Sequence, residues 1–326
     1  MKRLILTSSS GYCLMRMDLA EAVIPFTTRL VWGPLPFPDS FATYVAARSE
    51  QHGPGSHWSD LVGEFRNNSE ARKDLALVDF CEPCKTVELW FDPGPDDQLQ
   101  LISLLDFFRS HPETVAKLRL LIVDFDLLMM DHEGPAATDV RKVDVTEAKL
   151  ETGSMSWQAY RAPTPEACFN LLGKDLSALP LLRTALIDLL EELPSSTTGL
   201  GATEMRLLEL IAAGYRDTNS LFHLRGLRQR RVFKEWEIGS LLEGLAHGPT
   251  PAVAGLDDEL RTLRRDNYRG RGAAYKRSRL LLTKFGKAVL AHKEDFSRHN
   301  PIDRWWGGTH LTNDNLWRWN PGIVAS

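Results

Sequence analysis

The segment over residues 86–108, TVELWFDPGPDDQLQLISLLDFF, constrains what this chain can fold into more than any other. Residues 87–91 are a short run rich in β-forming and aromatic side chains, which predicts a buried strand. Asp92-Pro93-Gly94-Pro95 must end it, because two prolines flank a glycine and neither can donate to a sheet ladder. From Asp96 onward Leu99, Ile102, Leu105 and Phe108 recur at helical spacing. Strand, tight acidic loop and helix make one unit of an α/β sheet. Such sheets bind ligands beyond the carboxyl ends of their strands, which is where Asp92, Asp96, Asp97 and Gln98 would stand.

The rest of the chain repeats the alternation. Strands are expected over residues 3–7, 24–32 and 118–125, with a further edge strand over 140–145. Helices are expected over 12–22, 41–48, 58–79 and 166–193, the last restarting at Pro180. The expected fold class is therefore α/β, with a mainly parallel, three-layer, Rossmann-like sheet domain. At 326 residues the chain has room for a second domain. Residues 194–201, PSSTTGLG, have the composition of a linker. Beyond it come three short helices, with Thr203 capping the first, then a basic glycine-bearing stretch, a strand near Leu282 and a closing helix. That order predicts a mostly helical, winged-helix-like domain. The expected division is 1–194 for the α/β domain, 195–299 for the winged-helix-like domain, and 300–326 for a Trp-rich tail clamping the two.

Charge separates the same regions. The net charge of −4 hides 19 Lys/Arg against 12 Asp/Glu in residues 199–299, while the remainder carries 20 against 31. Two modules with different partners would carry such a split. Lys2-Arg3 is followed by only three apolar residues before serines begin, too few for a signal-peptide core. No apolar run approaches a membrane span, and four cysteines in so long a chain make no disulfide scaffold. The expectation is a cytoplasmic protein with no membrane partner.

Four segments carry a resemblance: Leu89-Trp-Phe-Asp-x-x-x-Asp-Gln-Leu99, Trp157-Gln-Ala-Tyr-Arg-Ala-Pro163, Leu193-Pro-x-x-x-x-Gly-Leu-Gly-Ala-Thr-Glu204, and Asp303-Arg-Trp-Trp-Gly-Gly-Thr-His-Leu311 with Trp317-Arg-Trp-Asn320. Together they resemble a bacterial domain-of-unknown-function family, number 1835, with its usual C-terminal companion domain. The resemblance implies a two-domain protein and no activity. The chain departs from it at Gly94, where the family carries an acidic residue, and at Thr7-Ser-Ser-Ser-Gly11, which lacks the Gly-Asp-Ser character of the family's first turn.

Several side-chain sets could carry chemistry. Asp92, Asp97 and Gln98 are the catalytic candidates. Asp92 at one strand end, with Asp124 and Asp126 at the next, could hold Mg²⁺ for phosphoryl transfer, since Mg²⁺ favours a few carboxylates plus water and phosphate; solvated or helix-capping carboxylates are the alternative. Ser9, Ser10 and Gly11 lie between a strand and a helix and could bind an anion through backbone amides, or cap the helix. Cys81 and Cys84 form a Cys-x-x-Cys without the second pair that a zinc site needs. Asp131, His132 and Glu133 form a charge cluster that could ligate a metal. Arg261, Arg264, Arg265, Arg269, Arg271, Lys276, Arg277 and Arg279, with Tyr268 and Tyr275 interleaved, could follow a phosphate backbone. Arg225, Arg228, Arg230 and Arg231 could extend that face. Against this, the helix that would enter the major groove carries Glu235, Glu237 and Glu243; docking of the basic segment on a protein is the alternative. Two functions follow: a binding protein that contacts nucleic acid or a protein partner through residues 261–279, or a metal-assisted enzyme acting on a phosphorylated or nucleotide substrate at the acidic loop.

Overall fold

The computed structural model describes residues 3–17, 19–36, 38–61, 74–127, 140–223 and 232–320. Asp131, His132, Glu133, Arg225, Arg228, Arg230 and Arg231 lie outside them. The chain divides into two compact units. The first comprises Met1–Leu30, Pro34–Ala162 and Glu166–Leu186; the second comprises Val31–Gly33, Pro163–Pro165 and Ile187–Ser326. The division falls at Leu186, ahead of the PSSTTGLG segment, and residues 300–326 belong to the second unit.

The first unit is a mixed α/β fold around a five-stranded sheet of order β2-β1-β3-β4-β5. The strands are β1 (Arg3–Ser8), β2 (Ala22–Phe26), β3 (Thr86–Phe91), β4 (Leu118–Ile122) and β5 (Arg141–Asp144). The first four are parallel, and β5 is an antiparallel edge. β1, β2 and β3 are buried almost throughout, the apolar pattern of strands covered on both faces. The edge strand β5 is instead charged and exposed, which blunts pairing with another chain. Glu88, inside β3, is fully buried and held by Arg3 (2.6 Å), Lys142 (2.5 Å) and Trp90 Nε1 (3.0 Å). Burial pushes its pKa up, but these three bonds outweigh burial and leave it lowered.

Helices α1 (Pro38–Val45), α2 (Leu77–Cys81), α3 (Pro95–Phe108), α4 (Pro112–Val115), α5 (Glu147–Tyr160) and α6 (Glu166–Leu171) complete this unit, and α7 (Leu182–Glu191) crosses into the second. Pro95 opens α3, where its missing N–H costs nothing. α3 packs closely on α5: a Cβ at Gly153 would stand 2.8 Å from Leu105 Cβ. The helix expected over residues 12–22 is instead a 3-10 helix over Ser9–Arg16, because Ser8 caps at once and Gly11 departs from helical angles, and β2 already begins at Ala22.

The second unit contains α8 (Ala202–Ala212), α9 (Thr218–His223), α10 (Glu235–His247), α11 (Tyr268–Arg277) and α12 (Lys284–Leu290). Two short antiparallel pairs accompany them, β6 (Val253–Ala254) with β7 (Leu281–Leu282) and β8 (Asp303–Trp306) with β9 (Thr309–Thr312). The expected flexible basic stretch is the helix α11, capped by Asn267 through Gly270 N (3.0 Å). The PSSTTGLG segment is a packed strap rather than a linker. Thr198 and Leu200 are buried, Ser195 bonds Thr198 (2.7 Å), and Trp319 N bonds Pro194 O (2.9 Å). Gly199 takes a φ of 68°, and a Cβ there would meet Asp295 Oδ1 at 2.2 Å. The cap of α8 is Gly201 with Glu204, not Thr203. Thr203 instead donates its hydroxyl (2.5 Å) and its N–H (3.2 Å) to Glu192. The tail folds back within this unit: Trp306 Nε1 donates to Leu189 O (2.6 Å) and Arg318 to Asp295 (2.7 Å). Among the described residues no helix is long and apolar enough to cross a membrane.

Candidate functional site

In the order 2-1-3-4 the chain steps from β1 to β2 on one side, then returns to add β3 on the other. The strand-end crevice between β1 and β3 is therefore the topological switch point, the place where open α/β sheets bind ligands. Thr7 Oγ1 donates to Trp90 O (2.7 Å) and ties the two strands just below it. The loops above supply Ser8 to Gly11 from one side and Asp92 to Gln98 from the other.

These loops meet at Asp97. Its Oδ1 accepts from Ser8 Oγ (2.6 Å) and Asp92 N (3.3 Å), and its Oδ2 accepts from Ser10 Oγ (3.2 Å). Asp97 is 4 % exposed. Burial pushes its pKa well above the usual carboxylate range, and the neighbouring Asp92 adds to the rise; the bond from Ser8 opposes it. Asp97 is thus a carboxyl biased toward its protonated form, next to a second buried carboxylate. Ser10, half-buried, is the side chain through which it reaches outward.

Asp92 turns its Oδ1 to Gly94 N (2.7 Å). An acidic side chain at residue 94 would crowd this oxygen, since even a Cβ there would lie 2.8 Å from it. Gln98, 1 % exposed, donates Nε2 to Asp92 O (2.7 Å), so its amide braces the loop. Asp96 pairs with Arg29 (2.7 Å) and accepts from Leu30 N (2.8 Å) and Gln100 Nε2 (2.9 Å), locking the segment after β2 onto α3.

The structure thus joins Asp92, Asp97, Gln98 and Ser10, and with them Ser8, the first serine of the turn that precedes Gly11. For the anion site, the structure shows Ser10 N already given to Ser8 Oγ (2.9 Å). Gly11 is explained by packing, since a Cβ would strike Thr7 Oγ1 at 2.0 Å. The metal set is not assembled: Asp124 is exposed, and among the described residues no three His, Cys, Asp or Glu side chains are grouped to hold an ion. Cys81 and Cys84 are buried free thiols, and burial raises both pKa values, which disfavours the reactive thiolate.

The basic segment separates into two kinds of residue. Arg271, 12 % exposed, pairs with Glu243 and donates to Leu263 O (3.2 Å), and Arg277 is held by Asp257 (2.7 Å) and Glu259 (2.6 Å). Arg261 and Arg264 pair with Asp258 and Asp266. Arg271 and Arg277 therefore leave the expected contact set, because carboxylates of their own unit already neutralise them. Arg265, Arg269, Lys276 and Arg279 are exposed and form no ion pair with a described residue. Lys276 and Arg279, with Arg216, line a polar recess of about 370 Å³. The chain matches no protein-family model and no curated protein.

Proposed function

We propose that the first unit is an enzyme that moves a proton on a small polar substrate at the β1/β3 crevice. Asp97 is the acid, Asp92 its partner carboxylate, and Ser10 the hydroxyl through which the pair meets the substrate. The observation that carries this reading is the position of Asp97: a buried carboxyl of raised pKa, beside another carboxylate, at the switch point of the sheet. Four buried cysteines, all free, accord with a reducing, cytoplasmic setting. The four sequence segments quoted above support membership of domain-of-unknown-function family 1835. A thermal-shift screen of small polar metabolites tests the activity reading. A ligand should stabilise the wild type, and Asp92→Asn should lose the shift; turnover of that ligand should fall at least a hundredfold in Asp97→Asn. Unchanged turnover in both variants refutes the assignment.

A second reading concerns the second unit. Helices α8, α9 and α10, the β6/β7 pair and α12 follow the order of a winged helix, with α11 inserted where the wing would extend. The exposed, unpaired Arg265, Arg269, Lys276 and Arg279 favour contact with a phosphate backbone. Anisotropy titration of a mixed-sequence duplex should show binding that fades steeply with salt, and the combined Arg269→Ala, Lys276→Ala and Arg279→Ala variant should lose it. An acidic protein partner for this face would leave the duplex unbound.

A further inference from the structure

A second feature of the first unit stands apart from the acid pair. A cavity of about 400 Å³ lies among the segment after β2, α1, α3 and α5. That volume is within the range of small-molecule sites. Phe41, Tyr44, Phe107 and Trp157 supply aromatic walls. Phe41 meets Phe107 edge-on at 5.8 Å and stacks on Tyr44 at 6.5 Å.

One cationic group on the wall is incompletely used. Gln100 is 3 % exposed and donates Nε2 to Asp96 Oδ2 (2.9 Å) and Thr28 O (3.2 Å), so it braces the wall. The Arg161 guanidinium stands 5.8 Å over the Trp157 ring and makes no ion pair with a described residue. Asp106 also lines the cavity, but its oxygens already accept from Ser154 Oγ (2.6 Å) and Gln158 Nε2 (3.3 Å). Burial holds the Tyr44 hydroxyl up at about 12, so it is neutral at physiological pH.

We propose that this cavity binds a planar aromatic ring bearing a negatively charged substituent. The ring packs against the aromatic walls in the offset or edge-on geometry such pairs prefer. Its charge pairs with Arg161, whose planar fork suits phosphate or carboxylate. The proposal stands on the cavity, independently of the acid pair, and Asp96 joins the two places physically: it bonds Gln100 and shares the first turn of α3 with Asp97.

The test is calorimetric titration of the full chain with adenosine monophosphate and indole acetate as ring-bearing anions. Adenosine serves as the uncharged ring and ribose phosphate as the ringless anion. At least one ring-bearing anion should bind, and ribose phosphate should not compete with it. Adenosine should bind about tenfold more weakly than its monophosphate, and Arg161→Ala should remove that difference. Ala42→Trp, a change at an exposed position on the cavity wall, should abolish binding. Asp97→Asn should leave the affinity unchanged, so failure of the cavity and failure of the acid pair are told apart. No binding of either ring-bearing anion at millimolar concentration, or binding that survives Ala42→Trp, overturns the proposal.

Discussion

At the scale of single residues, two buried carboxyls, Asp97 and Glu192, have raised pKa values. Asp97 has a folded pKa raised by burial and by Asp92. Its ionisation therefore opposes folding: its contribution is fully present below the ordinary aspartate value and is lost as pH rises toward the raised one. Asp97→Asn keeps the shape and cannot ionise. The variant should lose less stability than the wild type as pH is raised from 4 toward alkaline values, measured by chemical denaturation at a series of pH values. Glu192 obeys the same logic in the second unit, where burial pushes its pKa up to about 7 despite two bonds from Thr203. Stability of that unit should fall by on the order of 3 kcal/mol between pH 4.5 and 7, and Glu192→Gln should flatten the slope. A variant whose pH profile overlays the wild type would contradict the assignment. Asp97 was legible as a candidate because it opens a helix after a strand. Glu192 was not, because nothing in Glu191-Glu192-Leu193 distinguishes a solvated glutamate from one turned onto the start of α8.

The lesson changes at the scale of elements. The β3–loop–α3 unit was legible in full: two prolines fix the break, and the apolar period fixes the helix. The strap at 194–201 was not, because serine, threonine and glycine serve equally for a linker and for a tight hydroxyl-bonded turn. Only the partner across the fold, Asp295 against Gly199, decides between them. The basic segment was misread for a related reason. Spacing shows which residues are cationic, but not that Glu243, Asp257 and Glu259 return from other elements to meet them. Arg271→Ala should therefore act on stability, costing about 1–3 kcal/mol by leaving Glu243 without its cation. Arg269→Ala, at an exposed position, should change stability by less than about 0.5 kcal/mol. Equal effects in thermal denaturation would show that the two arginines do not differ as their pairing implies.

For the whole molecule, two compact units hold separate sets of polar side chains. The first brings a strand-end carboxyl pair and an aromatic cavity together around α3; the second carries the unpaired cationic face and its own buried acid. The β1/β3 crevice can act as proposed only if Asp97 is protonated in the intact chain. Carboxyl-carbon NMR of aspartate-labelled protein, assigned by the Asp97→Asn variant, measures that protonation directly. Asp97 is expected to give a signal that stays protonated to distinctly higher pH than the exposed aspartates do. An Asp97 that ionises near pH 4 with the others would contradict it, and would leave the β1/β3 crevice without its acid.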